Sequence, residues 1–323
     1  MTTNNCAIGI PDCGRGSDNL PKRNGPYAMG IARGRSNSAR GRAVWRFEVS
    51  GLKSIGRFLA VPVLATALWT APAAAQKSSV GGLYNITIAG LTIGRGSHAL
   101  VLQGNAYSAK VGVEPAGVGT LFSTGKGGAQ ASGWLLGNKV VPSKYEMASH
   151  AANRDFYVAL GQGSGHIRSM EVMPQFKPNK ERIKVTAKHR NNAMDPLSAA
   201  LMPVPARNDL IGPEACKRKL PIFDGWTRFD IKMSYKGTKN VSGRGYDGPV
   251  VVCTAKWIPV AGHRPSKESV KYMAQAGMEA WLAPLGGNVL IPYRISIDTK
   301  TGRLVVQASQ LNIKSGAGDQ AAR

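Results

Sequence analysis

A chain of 323 residues can hold one large domain or two, and its 42 Lys and Arg against 18 Asp and Glu give a net charge of +24 that attracts polyanions. Its four cysteines form no C-x-x-C pair, which excludes the dithiol redox motif and the common zinc sites.

Residues 1–45 are rich in Arg, Gly, Ser and Asn without a hydrophobic period, so they cannot bury a core. They read as sequence ahead of the true start, at Met29 or a later codon, with a disordered extension as the alternative. The pattern then changes: Arg46, Lys53 and Arg57 precede the apolar run Phe58 to Trp69, and Ala73-Ala74-Ala75 follows. Over residues 46–75 that is the layout of a signal peptide cleaved after Ala75. The apolar run is well short of the roughly 20 residues that span a bilayer. A periplasmic protein with a single β-rich domain over residues 76–323 is therefore expected.

Residues 1–75 hold ten Lys/Arg and three Asp/Glu, which leaves 32 basic and 15 acidic residues, a net of +17. Beyond the inner membrane the abundant anions are phospholipid and lipopolysaccharide phosphates, so lipid or an anionic membrane surface is the expected partner and nucleic acid is not. Cys6 and Cys13 precede the cleavage site. Cys216 and Cys253 remain, an even count suited to one disulfide in an oxidising compartment, with two buried free thiols as the alternative.

The first patterned stretch, Tyr84 to Leu102, alternates apolar and polar residues but is interrupted by Gly90 and Gly94. Glycine inside a strand marks a bulge, bend or turn, so both are read as strand-bend glycines, with Gly94 to Ser97 reversing into a strand His98 to Gln103. Strand candidates follow at Ala106 to Val113, Gln130 to Leu136, Lys144 to Ser149, Asp155 to Leu160 and His166 to Val172. Lys177 to Asn192 carries six basic residues against one acid and reads as an exposed loop or hairpin.

"DPLSAALMPV" offers Asp195 as a helix cap and Pro196 at the first helical position. Asp224-Gly225 spells a two-residue hairpin turn. After it Phe229, Ile231, Met233 and Tyr235 alternate with Arg228, Asp230, Lys232 and Ser234, a strand with one wet face. "PVVVCTAKW" places Val251, Cys253, Ala255 and Trp257 on one side, a short helix capped by Ser266 ends at Gly277, and two last strands meet at Asp298 to Gly302. Strands dominate without βαβ spacing, so the sheet is expected to be mostly antiparallel.

The opening strand with Gly90 and Gly94, "DPLSA" at 195–199, "CKRKLPIFDGWTRFDIKMSY" from Cys216, "YDGPVVVCTAKWIPVAGHRP" from Tyr246 and "LIPYRISIDTKTGRLVVQASQL" together resemble the bacterial family called domain of unknown function 3108 (DUF3108). The resemblance covers nearly all of the chain after residue 75 and implies an exported envelope protein. It also implies a mainly β fold, a strongly curved antiparallel sheet forming a partial or half-open barrel with a few short helices. In such a sheet glycine kinks serve the curvature.

Candidate chemistry is scarce. "GRGYDG" from Gly243 spells a dinucleotide loop, but a strand follows where a helix is required. "TLFSTGKGG" has Thr120 where a phosphate-binding loop needs its first glycine. "GQGSGH" places Ser164 near His166 without a nucleophile elbow and reads as a polar turn. The histidines at 98, 150, 166, 189 and 263 show no ligand spacing and read as surface or cap residues. No catalytic residue, cofactor or metal is assigned, which weighs against an enzyme.

The leading expectation is a periplasmic protein holding an apolar or lipid ligand on the concave face of its curved sheet. The alternative is a structural or partner-binding envelope module with a filled core. Lys177, Lys180, Arg182, Lys184, Lys188 and Arg190 are expected to form an anion-contacting or membrane-contacting patch near the mouth of the sheet.

Overall fold

A computed structural model describes residues 77–205, 208–286 and 288–314. The extension assigned to 1–45 and the leader assigned to 46–75 lie outside the described residues. Seven strands form an antiparallel meander: β1 (Lys77–Ile88), β2 (Leu91–Gln103), β3 (Ala106–Pro115), β4 (Lys126–Leu136), β5 (Lys139–Ala151), β6 (Arg154–Gly163) and β7 (His166–Met173). A long irregular strap follows, containing one helical turn, α1 (Ala187–Arg190), and the two-residue strand β8 (Met202–Pro203). The second half comprises β9 (Lys219–Phe223), β10 (Arg228–Gly243), β11 (Tyr246–Ala261), the helix α2 (Glu268–Gln275), β12 (Met278–Gly286), β13 (Val289–Thr299) and β14 (Gly302–Lys314).

One sheet contains all fourteen strands in the order β7-β6-β5-β4-β3-β2-β1-β14-β13-β12-β11-β10-β9, with β8 paired to β13. Its first and last strands, β1 and β14, pair antiparallel and join the two halves. The fold is thus mainly β, a single antiparallel sheet that does not close by strand pairing.

The edges β7 and β9 are nevertheless bridged by the strap. His166 bridges Asn191, and Met194 bridges Ile222 with Met194 N donating to Pro221 O and Phe223 N donating to Met194 O, each at 2.9 Å. Trp226, in the β9–β10 loop, donates its indole N–H to Pro174 O at 2.8 Å, just beyond β7. Gly225 in that loop sits where a Cβ would come within 2.9 Å of the Val158 side chain on β6, so the far edges of the sheet pack on one another.

Alternation along the second half explains two cores. On β11 Val250 faces one core while Val251 and Cys253 face another; on β13 Ile291 and Tyr293 face the first and Leu290 the second. The first core is shared with Leu100 of β2, Tyr107 of β3, Tyr145 of β5, Leu160 of β6 and the strap residues Leu197 and Leu201. The second lies on the opposite face of β10–β13 under residues 202–205 and 208–216, including Met202, Val204 and Ala215. Each fully buried Leu or Ile contributes about 1.5–3 kcal/mol, so a sheet covered on both faces is well stabilised.

Several expectations change in detail. The first reversal lies at Ala89-Gly90, both with positive φ (48° and 84°), the geometry a two-residue turn between twisted strands requires. Gly90 therefore makes the turn rather than a bend within a strand. β2 runs unbroken through Gly94, which pairs with Ile86 beside a register shift, and a Cβ there would lie 3.1 Å from Glu114 O. The β9–β10 connection takes four residues, Asp224 to Thr227, instead of a two-residue turn, because the Asp224 carboxylate accepts from the N–H groups of Trp226 and Thr227 and from the Thr227 hydroxyl. Instead of capping a helix, Asp195 precedes a short 3-10 turn, Ser198–Ala200, with its carboxylate accepting from Leu197 N and Ser198 N.

The face of β10 expected to be wet is buried at Arg228 and Asp230. Lys219 lies 2.6 Å from the Asp230 carboxylate and Arg228 also pairs with it. Burial pushes that carboxyl up, but the two bases outweigh it and hold it below the usual carboxylate range.

Candidate functional site

The inner face of the curved sheet is the first place to look for a ligand, and the strap occupies it. Ala193, Leu197 and Leu201 belong to the main core, and Asp195 and Ser198 are fully buried. A buried carboxylate must be hydrogen-bonded, and this one is. Its Oδ1 accepts from Leu197 N at 3.0 Å and Ser198 N at 2.8 Å, and its Oδ2 accepts from the Ser198 hydroxyl and from Gln162 Nε2 at 2.8 Å. With its proton on Asp195, Ser198 Oγ accepts from the Tyr107 hydroxyl at 2.7 Å. Burial pushes the Asp195 carboxyl up, partly offset by these donors, and it pushes the Tyr107 hydroxyl up too. The cluster fastens the strap to β3 and β6. Sequence reasoning saw Asp195 as a cap and had no signal for Gln162, which is 33 positions away.

A cavity of about 870 Å³ lies elsewhere. It is walled by Leu83, Ser97, Gly112, Ala148 and Tyr157, and the core-facing Tyr84 does not line it. Leu83 pairs with Ser97, Ser97 with Gly112 and Ala148 with Tyr157, the positions that alternate with the core-facing Leu100, Ala109 and Val158. The groove therefore runs over the outer face. At one end Arg95, Glu114, Lys126, His150 and Asp155 form a cross-strand row of largely alternating charge, with His150 Nδ1 2.8 Å from Asp155 Oδ1. Such a row satisfies itself and does not select an anion.

A smaller outer cavity of about 260 Å³ contains Glu279, Ser296, Asp298 and Arg303. Arg303 pairs with Asp298 at 2.7 Å, and Lys236 pairs with Glu279, holding its carboxyl below the usual range. The cavity is charge-matched.

Cys216 and Cys253 form a disulfide with Cα atoms 5.5 Å apart, pinning the segment that covers the second core to β11. The six basic residues proposed as a patch all lie on the strap just after β7, but they differ in role. Lys177, Lys180, Lys184 and Lys188 are exposed. Arg182 is half-buried, stacks 3.9 Å from the centre of the Phe176 ring and donates to Gly262 O at 2.6 Å. Arg190 is also half-buried and donates to the Met170 sulfur at 3.6 Å.

His263 departs from its expected surface or cap role. It is buried, with its ring 4.8 Å from that of Trp257, and neither ring nitrogen completes a hydrogen bond. Burial, reinforced by the Arg182 guanidinium, pushes it down to about 4, while the Arg228 backbone works weakly the other way. His189 does cap, accepting from Thr186 N at 3.1 Å.

A family model described as "Protein of unknown function (DUF3108)" matches residues 83–309. The chain belongs to the DUF3108 family. The matched span runs from β1 into β14 and includes the strap, so the family pattern covers both halves of the sheet. Among solved structures the chain is similar to a beta-barrel-like protein of domain of unknown function DUF1849 from Brucella abortus. The two share 10% identity with a TM-score of 0.44, over 75% of this chain and 98% of that one. No curated protein matches the chain.

Proposed function

We propose that this DUF3108 protein is an exported periplasmic module that works by binding at its outer surface, with the inner face of its curved sheet occupied by its own strap. The observation that carries this reading is the buried Asp195–Ser198–Tyr107–Gln162 cluster, which holds Leu197 and Leu201 in the main core where a carried lipid would have to sit. Export is supported by the sequence pattern of residues 46–75. The disulfide fits an oxidising compartment.

Native mass spectrometry of protein isolated from the periplasm without detergent tests both parts. The expected mass is that of a chain beginning at Gln76, with one disulfide and no adduct. A stoichiometric lipid adduct would overturn the filled-interior reading, and a chain that keeps Leu59 to Trp69 would overturn cleavage after Ala75.

A further inference from the structure

The antiparallel register sorts the connections of the sheet onto two opposite rims. One rim carries the β1–β2 turn, the β3–β4 and β13–β14 connections, the α2 segment, and the end of β7 from which the strap departs. On this rim the 3-10 turn Gly117–Leu121 and the following Phe122 raise large apolar side chains into water: Leu121 is 76% exposed and Phe122 67%, with Leu91 at 57% at the start of β2.

The projection is held firmly. Ala116 N donates to Ile93 O at 3.2 Å, and a Cβ on Gly119 would fall 1.8 Å from that same oxygen, so this turn lies directly against β2. Solvent-exposed apolar clusters on a fixed frame mark interaction sites.

The same rim is basic. It receives the first part of the strap, where Ile183 N donates to His263 O just beyond β11, with the exposed Lys177, Lys180 and Lys184; Lys188 lies toward the opposite rim, beside Asn191, which bridges His166 at the start of β7. Two of its carboxylates are already matched, Glu268 by Lys271 at 3.7 Å and Asp298 by Arg303 at 2.7 Å. The opposite rim exposes Trp134 and Leu136 less fully, at 48% and 53%, and carries Lys77, Lys139, Arg244 and Lys314 of its own, so the fuller projection of Leu121 and Phe122 is what distinguishes this rim.

We propose that this rim docks on an anionic phospholipid bilayer, with Leu121 and Phe122 entering the boundary between headgroups and acyl chains and the strap lysines meeting the phosphates. The inference rests on the reading that the protein works through its outer surface, and it names that surface and its partner. Apolar insertion and a basic surround are the two contributions that add up to interfacial binding, and neither suffices alone.

Co-sedimentation of the mature chain with vesicles of phosphatidylglycerol and phosphatidylethanolamine, against phosphatidylcholine alone, tests it. Two variants are compared, Leu121→Asp/Phe122→Asp and Lys177→Gln/Lys180→Gln/Lys184→Gln. All five side chains are exposed, so thermal melting should stay within a few degrees of wild type and serves as the folding control. Expected are binding to anionic vesicles only, a loss of roughly tenfold or more on raising salt from about 50 to about 300 mM, and a loss of roughly tenfold or more in each variant. A Phe122→Trp variant should shift its emission to the blue on binding. Failure of the wild type to bind, or unchanged binding by Leu121→Asp/Phe122→Asp, overturns the inference. An adduct-free mass in the native spectrum would still leave the surface-acting reading standing.

Discussion

Gln162 Nε2 lies 2.8 Å from Oδ2 of Asp195, and through that bond β6, near one edge of the sheet, holds the strap that bridges to the other edge. Asp195 is fully buried, so removing its acceptors strands several donors in an apolar interior. Asp195→Ala is expected to cost about 2–4 kcal/mol in chemical denaturation. Asp195→Asn should cost much less. Gln162 Oε1 is buried without a partner, and rotating that amide by half a turn lets it accept from the new side-chain amide.

Cys216 and Cys253 close a loop across 37 positions. The chain-entropy account assigns such a loop about 4 kcal/mol. Reduction, or Cys216→Ser/Cys253→Ser, should lower the melting temperature clearly, and the oxidised protein should show no titratable thiol. An unchanged melting curve would mean that the cover over the second core holds without the bridge.

His263 supplies a pH dependence of known sign. Its folded value is pushed down to about 4 from an unfolded value near 6.5, so the folded state disfavours the proton. Stability from the neutral ring is complete above the unfolded value and is lost as pH falls from there toward the folded value. The loss amounts to no more than about 3 kcal/mol. His263→Phe gives up only a weak contact with the Arg228 backbone, since neither ring nitrogen completes a full hydrogen bond. That variant should match wild type at neutral pH and be the more stable of the two near pH 4.5, as read by denaturant midpoints.

Much of this was legible from residue patterns, and the misses share one cause. Strand alternation located β3 to β7, and it put Val251, Cys253 and Ala255 on one side of β11, where they pack together in the second core, because side-chain period is a local signal. Arg228 and Asp230 misled because a charged pair buried between covered faces looks, in sequence, like a wet face. Asp195 looked like a helix cap, and its carboxylate does accept from the Leu197 and Ser198 N–H groups, but only ahead of a short 3-10 turn; its partner Gln162 lies on β6 and only the tertiary fold brings it near. The exposed Leu121 and Phe122 escaped notice because "TLFSTGKGG" draws attention only as a phosphate-binding loop, and the exposure of an apolar residue is set by the tertiary fold.

Gly119 gives a local test of the projecting turn. With a Cβ so close to Ile93 O, Gly119→Ala must lift the turn off β2, at a cost of about 1–3 kcal/mol. Limited proteolysis should then cut within residues 116–125 faster than in wild type, while the strand cores stay protected.

The central claim, that the strap is an integral part of the core, is tested most directly by hydrogen–deuterium exchange of the native protein. Met194 N, Leu197 N, Ser198 N and Val204 N all donate to fixed acceptors, so they should exchange as slowly as the amides of β2 and β13. Rapid exchange across residues 194–204 with the strands still protected would make the strap a displaceable lid, and would return the interior of the sheet to a ligand.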